Sequence, residues 1–196
     1  MIDLPALITK FEAVNDRESE VAFFHTHVPW VAPEAYLNII FKPAPSDVLS
    51  TVGAQMKVPG DVLQLLARHN GAHLFSGSLH LFGVLRKGQL LHRSESFSLP
   101  PFNIELENQS WPPPDRKTFL KIGGYGFDGS GACIDRESLG IFVFRRREKE
   151  PCASWPTLDV WLDSEIHRLS ALFDGSGKRL VDGRLTLPNQ TSGGIA

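Results

Sequence analysis

Residues 118–145 read TFLKIGGYGFDGSGACIDRESLGIFVFR. Three short apolar runs, 118–122, 132–135 and 140–145, are separated by turns rich in glycine or in acidic residues. Short runs with β-branched and aromatic residues, bounded in this way, read as strands. Gly124-Tyr125-Gly126-Phe127-Asp128-Gly129 matches G-x-G-x-x-G literally. The dinucleotide mechanism needs those glycines between a strand and a helix, so that a helix N-terminus meets the pyrophosphate. Here they run into Ser130-Gly131-Ala132-Cys133-Ile134-Asp135, another strand, so a glycine-rich β-turn accounts for them.

Working outward, the downstream chain predicts a helix over about 158–173 with Thr157 as its cap and Gly175 as its stop. Leu158, Trp161, Leu162, Ile166, Leu169, Leu172 and Phe173 form its apolar stripe. Upstream, Lys42-Pro43-Ala44-Pro45 reads as a rigid linker, and Ser46 as the cap of a helix over 47–56. Val58-Pro59 starts a second helix whose Val62, Leu65 and Leu66 face inward, and Asn70-Gly71 is expected to end it as a left-handed cap. Strands are expected at 36–41, 79–85 and 89–91, and residues 94–118 hold no expected element, with Trp111-Pro112-Pro113-Pro114 locally extended. Near the N-terminus, Leu4, Leu7, Ile8, Phe11 and Val14 recur at helical spacing, and the polar Asn15-Asp16-Arg17-Glu18 is expected to stop that helix. Helices before, strands in the middle and a helix after predict one α+β domain, a central and mostly antiparallel sheet flanked by helices.

Composition bounds the function classes. The 196 residues carry 20 Lys+Arg against 22 Asp+Glu, a net charge of −2, so no chain-wide field draws nucleic acid or anionic membrane. Thirteen Phe and four Trp against two Tyr give a Phe-rich composition, with Phe75, Phe82, Phe142, Phe144 and Phe173 expected in the core. The two cysteines form no C-x-x-C pair, and Cys133 is expected as a buried thiol. The N-terminus has no basic region followed by an apolar stretch, so a reducing, cytoplasmic setting is expected.

Chemistry-bearing patterns are sparse. His25 and His27 alternate along one predicted strand face, and His69 and His73 are four apart, but no H-E-x-x-H accompanies them. Gly175-Ser176-Gly177-Lys178 lacks the flanking residues of a phosphate-binding loop, since Leu172 and Arg179 stand where Gly and Ser or Thr are needed. Ser76, Ser130 and Ser176 lie beside glycine without completing G-x-S-x-G. Asp135 and Glu137 could serve a metal nuclease, yet Leu139 stands where a lysine is wanted. No metal, cofactor or catalytic residue is therefore assigned. Arg145-Arg146-Arg147 is the only basic cluster, and Glu148 and Glu150 dilute it, which favours a solvated strand end over a phosphate site.

One ordered series is more specific: Leu49, Val58-Pro59, Leu65-Leu66, Asn70-Gly71, Leu74-Phe75, Leu79 and Leu81-Phe82-Gly83, then Leu120, Ile122-Gly123, Asp128-Gly129, Gly131, Ile134-Asp135, the strand 141–144 and the helix 161–173. It resembles the SUKH superfamily, which includes the SMI/KNR cell-wall assembly regulator-like domains. Val58 stands where that family commonly has Leu, and the acidic residue that usually follows Gly131 is absent. The resemblance covers about 45–175, leaving 1–44 as an N-terminal helix and extension and 176–196 as a tail. It implies an α+β binding domain in which Pro59, Asn70, Gly71, Gly83, Gly123, Gly131 and Asp135 have structural roles. Many members are implied to be immunity proteins that neutralise a partner toxin, often a nuclease; others are regulatory interaction domains.

The expectation is a non-catalytic protein-binding domain working by stoichiometric cover, with Trp111, Phe127, Arg145, Arg146 and Arg147 as candidate contacts, because aromatics and arginine dominate interface hot spots. Neither nucleic acid nor membrane is an expected direct partner. The alternatives are a regulatory scaffold and a small metal-dependent hydrolase using the histidines with Asp135 and Glu137.

Overall fold

In the computed structural model, the described residues are 4, 15–18, 22–26, 37–86, 100–110, 112–126, 129–175, 177–180 and 187–188. Among them, nine strands form one sheet: β1 Asn15–Glu18, β2 Ala22–Thr26, β3 Asn38–Phe41, β4 Ala72–Leu74, β5 Leu79–Leu81, β6 Phe119–Tyr125, β7 Ser130–Asp135, β8 Ile141–Phe144 and β9 Pro151–Trp155. Each pairs antiparallel with the next, so spatial order is sequence order. Helices α1 Ser46–Met56 and α2 Gly60–Leu66 enter between β3 and β4. Helix α3, Ile104–Ser110, enters between β5 and β6, and α4, Leu158–Ser170, follows β9. The α+β antiparallel architecture is the one expected. The segment 1–44 supplies β1, β2 and β3, which join the same sheet as the rest.

The pleat sorts the residues into two rows. Ile40, Ala72, Leu81, Gly123, Ala132 and Val143 oppose one another across the strands and, Gly123 apart, belong to the main core with Val48, Val52, Val62, Leu66, Trp161, Leu162, Ile166 and Leu169 of the helices. One residue along, Ile39, His73, His80, Gly124, Gly131 and Phe144 form the row on the other face. A bulge between Lys121 and Gly123 lets Lys121 and Gly124 share that second face. Trp161 is fully buried, and its Nε1 donates to the Tyr125 hydroxyl at 2.9 Å. Of the phenylalanines expected inside, Phe75, Phe82, Phe144 and Phe173 are buried and Phe142 is half-buried.

Several local expectations need correction. Residues 94–118 are not without structure, because Ile104–Ser110 is helical, with the Asn103 side chain accepting from Glu105 N at 2.8 Å to start it. Asn15–Glu18 is a strand, β1, where a helix stop was expected; pairing along β2 overrides its polar composition. Strands β4 and β9 were not anticipated, being three residues long and proline-led respectively. Ser46 is the first helical residue and not the cap, a position held by Pro45 without a side-chain bond. Likewise Pro59 is the N-cap of α2. Thr157 caps α4 as expected, accepting from Val160 N at 3.3 Å, but the helix ends at Ser170, short of Gly175. The predicted N-terminal helix has only Leu4 among the described residues, and the predicted strand 89–91 lies outside them.

Asn70-Gly71 does not cap α2, which ends at Ala67 in right-handed geometry. The pair instead ties β3 to the end of β5. Asn70 Nδ2 donates to Val84 O at 2.9 Å, and Val84 N donates to Asn70 Oδ1 at 2.7 Å, so the side-chain amide behaves as a strand residue would. Gly71 has φ +87° and carries its carbonyl to Phe41 N at 3.1 Å. A Cβ on Gly83 would strike the Asn70 carbonyl oxygen. Asn70, Gly71 and Gly83 are therefore parts of one tie. Asp135 closes the β7–β8 turn, its Oδ1 accepting from Glu137 N at 2.8 Å and Ser138 N at 3.2 Å.

Candidate functional site

On the second face of the sheet lies a cleft of about 330 Å³. One wall is Pro112, Pro113 and Pro114; the other is the turn after β8, Arg145 to Lys149. The floor is Lys121, Gly129, Gly131, Cys133 and Phe144. Each part has a local cause. Three consecutive prolines fix φ and remove the N–H donors, so that wall is stiff and offers only carbonyls from its backbone. Arg145, Arg146 and Arg147 follow β8 in an exposed turn, and Arg147 has φ +68°.

Lys121 is the residue the sequence reading passed over. It stands in an otherwise apolar strand, and its side chain is 5% exposed. Helix α3 holds its backbone. Lys121 N donates to Asn108 Oδ1 at 3.0 Å, while Asn108 Nδ2 donates to Lys121 O at 2.7 Å and to Ile104 O at 2.8 Å. The ammonium lies 3.7 Å from Glu107 Oε2 and 5.4 Å from the centre of the Phe82 ring. A Cβ on Gly131 would come within 2.5 Å of Lys121 Cε, so the missing side chain of Gly131 is the space the lysine stem occupies. Gly129, with φ +80°, plays the same part for Arg146, whose Cδ lies 3.0 Å from where a Cβ would be. A lone lysine inside a strand, two residues before a glycine pair, was the signal available. Burial pushes the Cys133 thiol up to about 12, against the opposing pull of Lys121, so it is held as an unreactive thiol.

Of the predicted contacts, Arg145, Arg146 and Arg147 line this cleft. Trp111 and Phe127 lie outside the described residues, but Pro112, next after Trp111, and Gly129, two residues past Phe127, both line it. Gly131 belongs to the floor. Pro59, Asn70, Gly71, Gly83 and Asp135 sit elsewhere, in the ties and turns already described. A Cβ on Gly123 would come within 2.7 Å of the His80 carbonyl and 3.3 Å of the Trp161 ring.

The histidines take a different form from the one their spacing suggested. His73 and His80 are directly opposed on β4 and β5, with ring centres 4.8 Å apart at nearly right angles. Phe102 closes over both, at 5.0 Å and 4.7 Å, and Phe41 flanks His73 at 5.3 Å. Burial lowers His73 to about 3, with the neighbouring His80 adding to the effect. Burial likewise lowers His80 to about 4, and the Gly77 backbone offsets only part of it. Both rings are therefore neutral at pH 7. His27 and the side chain of His25 lie outside the described residues. Among the described residues, no group of three or more His, Cys, Asp or Glu is placed to hold a metal ion. Asp135 is occupied by its turn, with Glu137 exposed beside it.

A second cleft, of about 280 Å³, lies between α2 and the start of α4 and is lined by Asp61, Gln64, Leu65, Arg68, Thr157, Leu158 and Asp159. Its charges are mixed, and it contains none of the predicted contacts. No helix among the described residues is long and apolar enough to cross a membrane. The chain matches no family model and no curated protein.

Proposed function

We propose that this chain is a non-catalytic protein-binding domain, and that it acts as an immunity protein that covers and neutralises a partner toxin. The observation that carries the reading is the cleft itself. Arg145, Arg146 and Arg147, singled out as contacts, line one depression against a proline wall. Arginine beside a preformed apolar wall is the composition from which interface hot spots are made. The toxin role rests on the resemblance of residues 45–175 to the SUKH superfamily.

The test is co-expression with the protein encoded beside this one in its genome, scored as growth. The wild-type chain is expected to restore growth and to co-purify in a stoichiometric complex. A variant with Arg145, Arg146 and Arg147 all changed to alanine should lose both while melting as the wild type does. A neighbour that is harmless alone yet co-purifies would replace the toxin role by that of a regulatory scaffold. Full rescue by the triple variant would remove the cleft from the account.

A further inference from the structure

We propose that the cleft between Pro112–Pro114 and Arg145–Lys149 receives an acidic, extended segment of the partner protein, with its carboxylates directed at the cationic rim. This rests on the protein-binding reading above and adds the chemistry of what is bound. Charge is the first argument. Among the described residues, Lys121, Arg145, Arg146, Arg147 and Lys149 line the cleft with one acid, Glu148, while Glu107 pairs with Lys121 from α3, in a chain whose net charge is −2. The cations are thus a local concentration and not a share of a general excess.

Construction is the second. The two glycines of the floor each leave room for a cationic stem, Gly129 for Arg146 and Gly131 for Lys121. Lys121 is held at 5% exposure with its ammonium 3.7 Å from Glu107 Oε2, so the floor is a built ion pair and the cations open to an entering anion stand at the rim. Guanidinium groups at the rim match carboxylates in paired geometry. Shape is the third. A volume of about 330 Å³ admits a few side chains of an extended segment, and the proline wall supports such a segment without needing to reorganise. Nucleic acid is disfavoured, because binding along a phosphate backbone asks for a continuous basic track with stacking faces. Here the basic residues converge on one depression, and its lining among the described residues includes an acid.

The experiment uses the purified full chain and fluorescence anisotropy with three labelled probes: a peptide of alternating aspartate and serine, its asparagine counterpart, and a single-stranded oligothymidylate. The acidic peptide should bind, the asparagine peptide about tenfold or more weakly, and added salt should weaken the acidic one. Arg146→Glu, an exposed change that leaves the fold intact, should weaken the acidic peptide at least about tenfold. Lys121→Met keeps the stem and removes the charge, and should weaken it too. Equal binding of the asparagine peptide, tighter binding of the oligonucleotide, or no binding of the acidic peptide at about 1 mM would each overturn the proposal. Selection from a random-peptide display separates the two layers. Non-acidic sequences lost on Arg146→Glu would overturn the acidic segment and leave the protein-binding reading standing. Sequences that ignore Arg146→Glu would remove the cleft from both.

Discussion

The helix-covered face of the sheet presents Ile40, Ala72, Leu81, Ala132 and Val143 in one row; the face behind it presents Ile39, His73, His80, Gly124, Gly131 and Phe144 in the next. These rows are a single residue apart along the same strands, so backbone and pairing are common to both. What differs is side-chain volume and polarity. Small and medium aliphatics on the first face meet Trp161, Leu162, Ile166 and Leu169 and leave the space filled. On the second, two neutral histidines are closed over by Phe102, while Gly129 and Gly131 leave the room that the stems of Arg146 and Lys121 occupy beside the cleft. A sheet needs one packed face to be stable, which leaves the other free to be shaped for binding.

The contrast can be broken by substitution. Trp161→Ala on the packed face should cost about 3–5 kcal/mol in urea unfolding, since it leaves a large cavity and orphans the Tyr125 hydroxyl. Phe142→Ala, half-buried on the second face, should cost less than half as much; equal losses would mean that the faces are not built differently.

Acid should act through the second face. His73 and His80 titrate near 3 and near 4 when folded and near 6.5 when unfolded, so the unfolded chain binds more protons between those limits. Above pH 6.5 they are neutral in both states and add no pH dependence. As pH falls below that value each histidine should remove about 1.4 kcal/mol of stability per pH unit, until the folded-state values are reached. Denaturation midpoints measured from pH 7 to pH 4 check the slope. His80→Phe should roughly halve it, leaving the share of His73, and a slope unchanged by that variant would place the acid sensitivity elsewhere.

Gly83→Ala should cost about 1–3 kcal/mol, because the added methyl strikes the Asn70 carbonyl of the strand tie, a clash that backbone cannot yield to cheaply. At the small end, Arg146→Glu should change the unfolding free energy by no more than about 0.5 kcal/mol, as an exposed cleft residue with a binding role would. A large loss of stability there would recast the arginine turn as structural.

Much of this was legible in the chain. The strands at 118–122, 132–135 and 140–145 and the amphipathic stripe of α4 were readable because period and turn residues agree there with the tertiary structure. Asn70-Gly71 was misread because an asparagine–glycine pair after a helix fits a left-handed cap locally. Its actual partner, Val84, lies fourteen residues on and is invisible to local rules. Strand β1 was hidden by composition, since NDRE carries no apolar period and owes its conformation to pairing with β2. At the cleft, the arginines were visible as a cluster and the prolines as a stiff segment. That they face each other over Lys121 depends on the bulge in β6 and on the Asn108 clamp, neither of which has a sequence signature.

The central claim is that binding belongs to the cleft on the second face. Amide chemical shifts of the full chain, recorded while the acidic peptide is titrated in, test it most directly. The account predicts that the largest changes fall on Lys121, on 129–133 and on 144–149, with α2 and α4 unmoved. Changes centred on Asp61, Gln64, Arg68 and Thr157, in the cleft beside those helices, would contradict it.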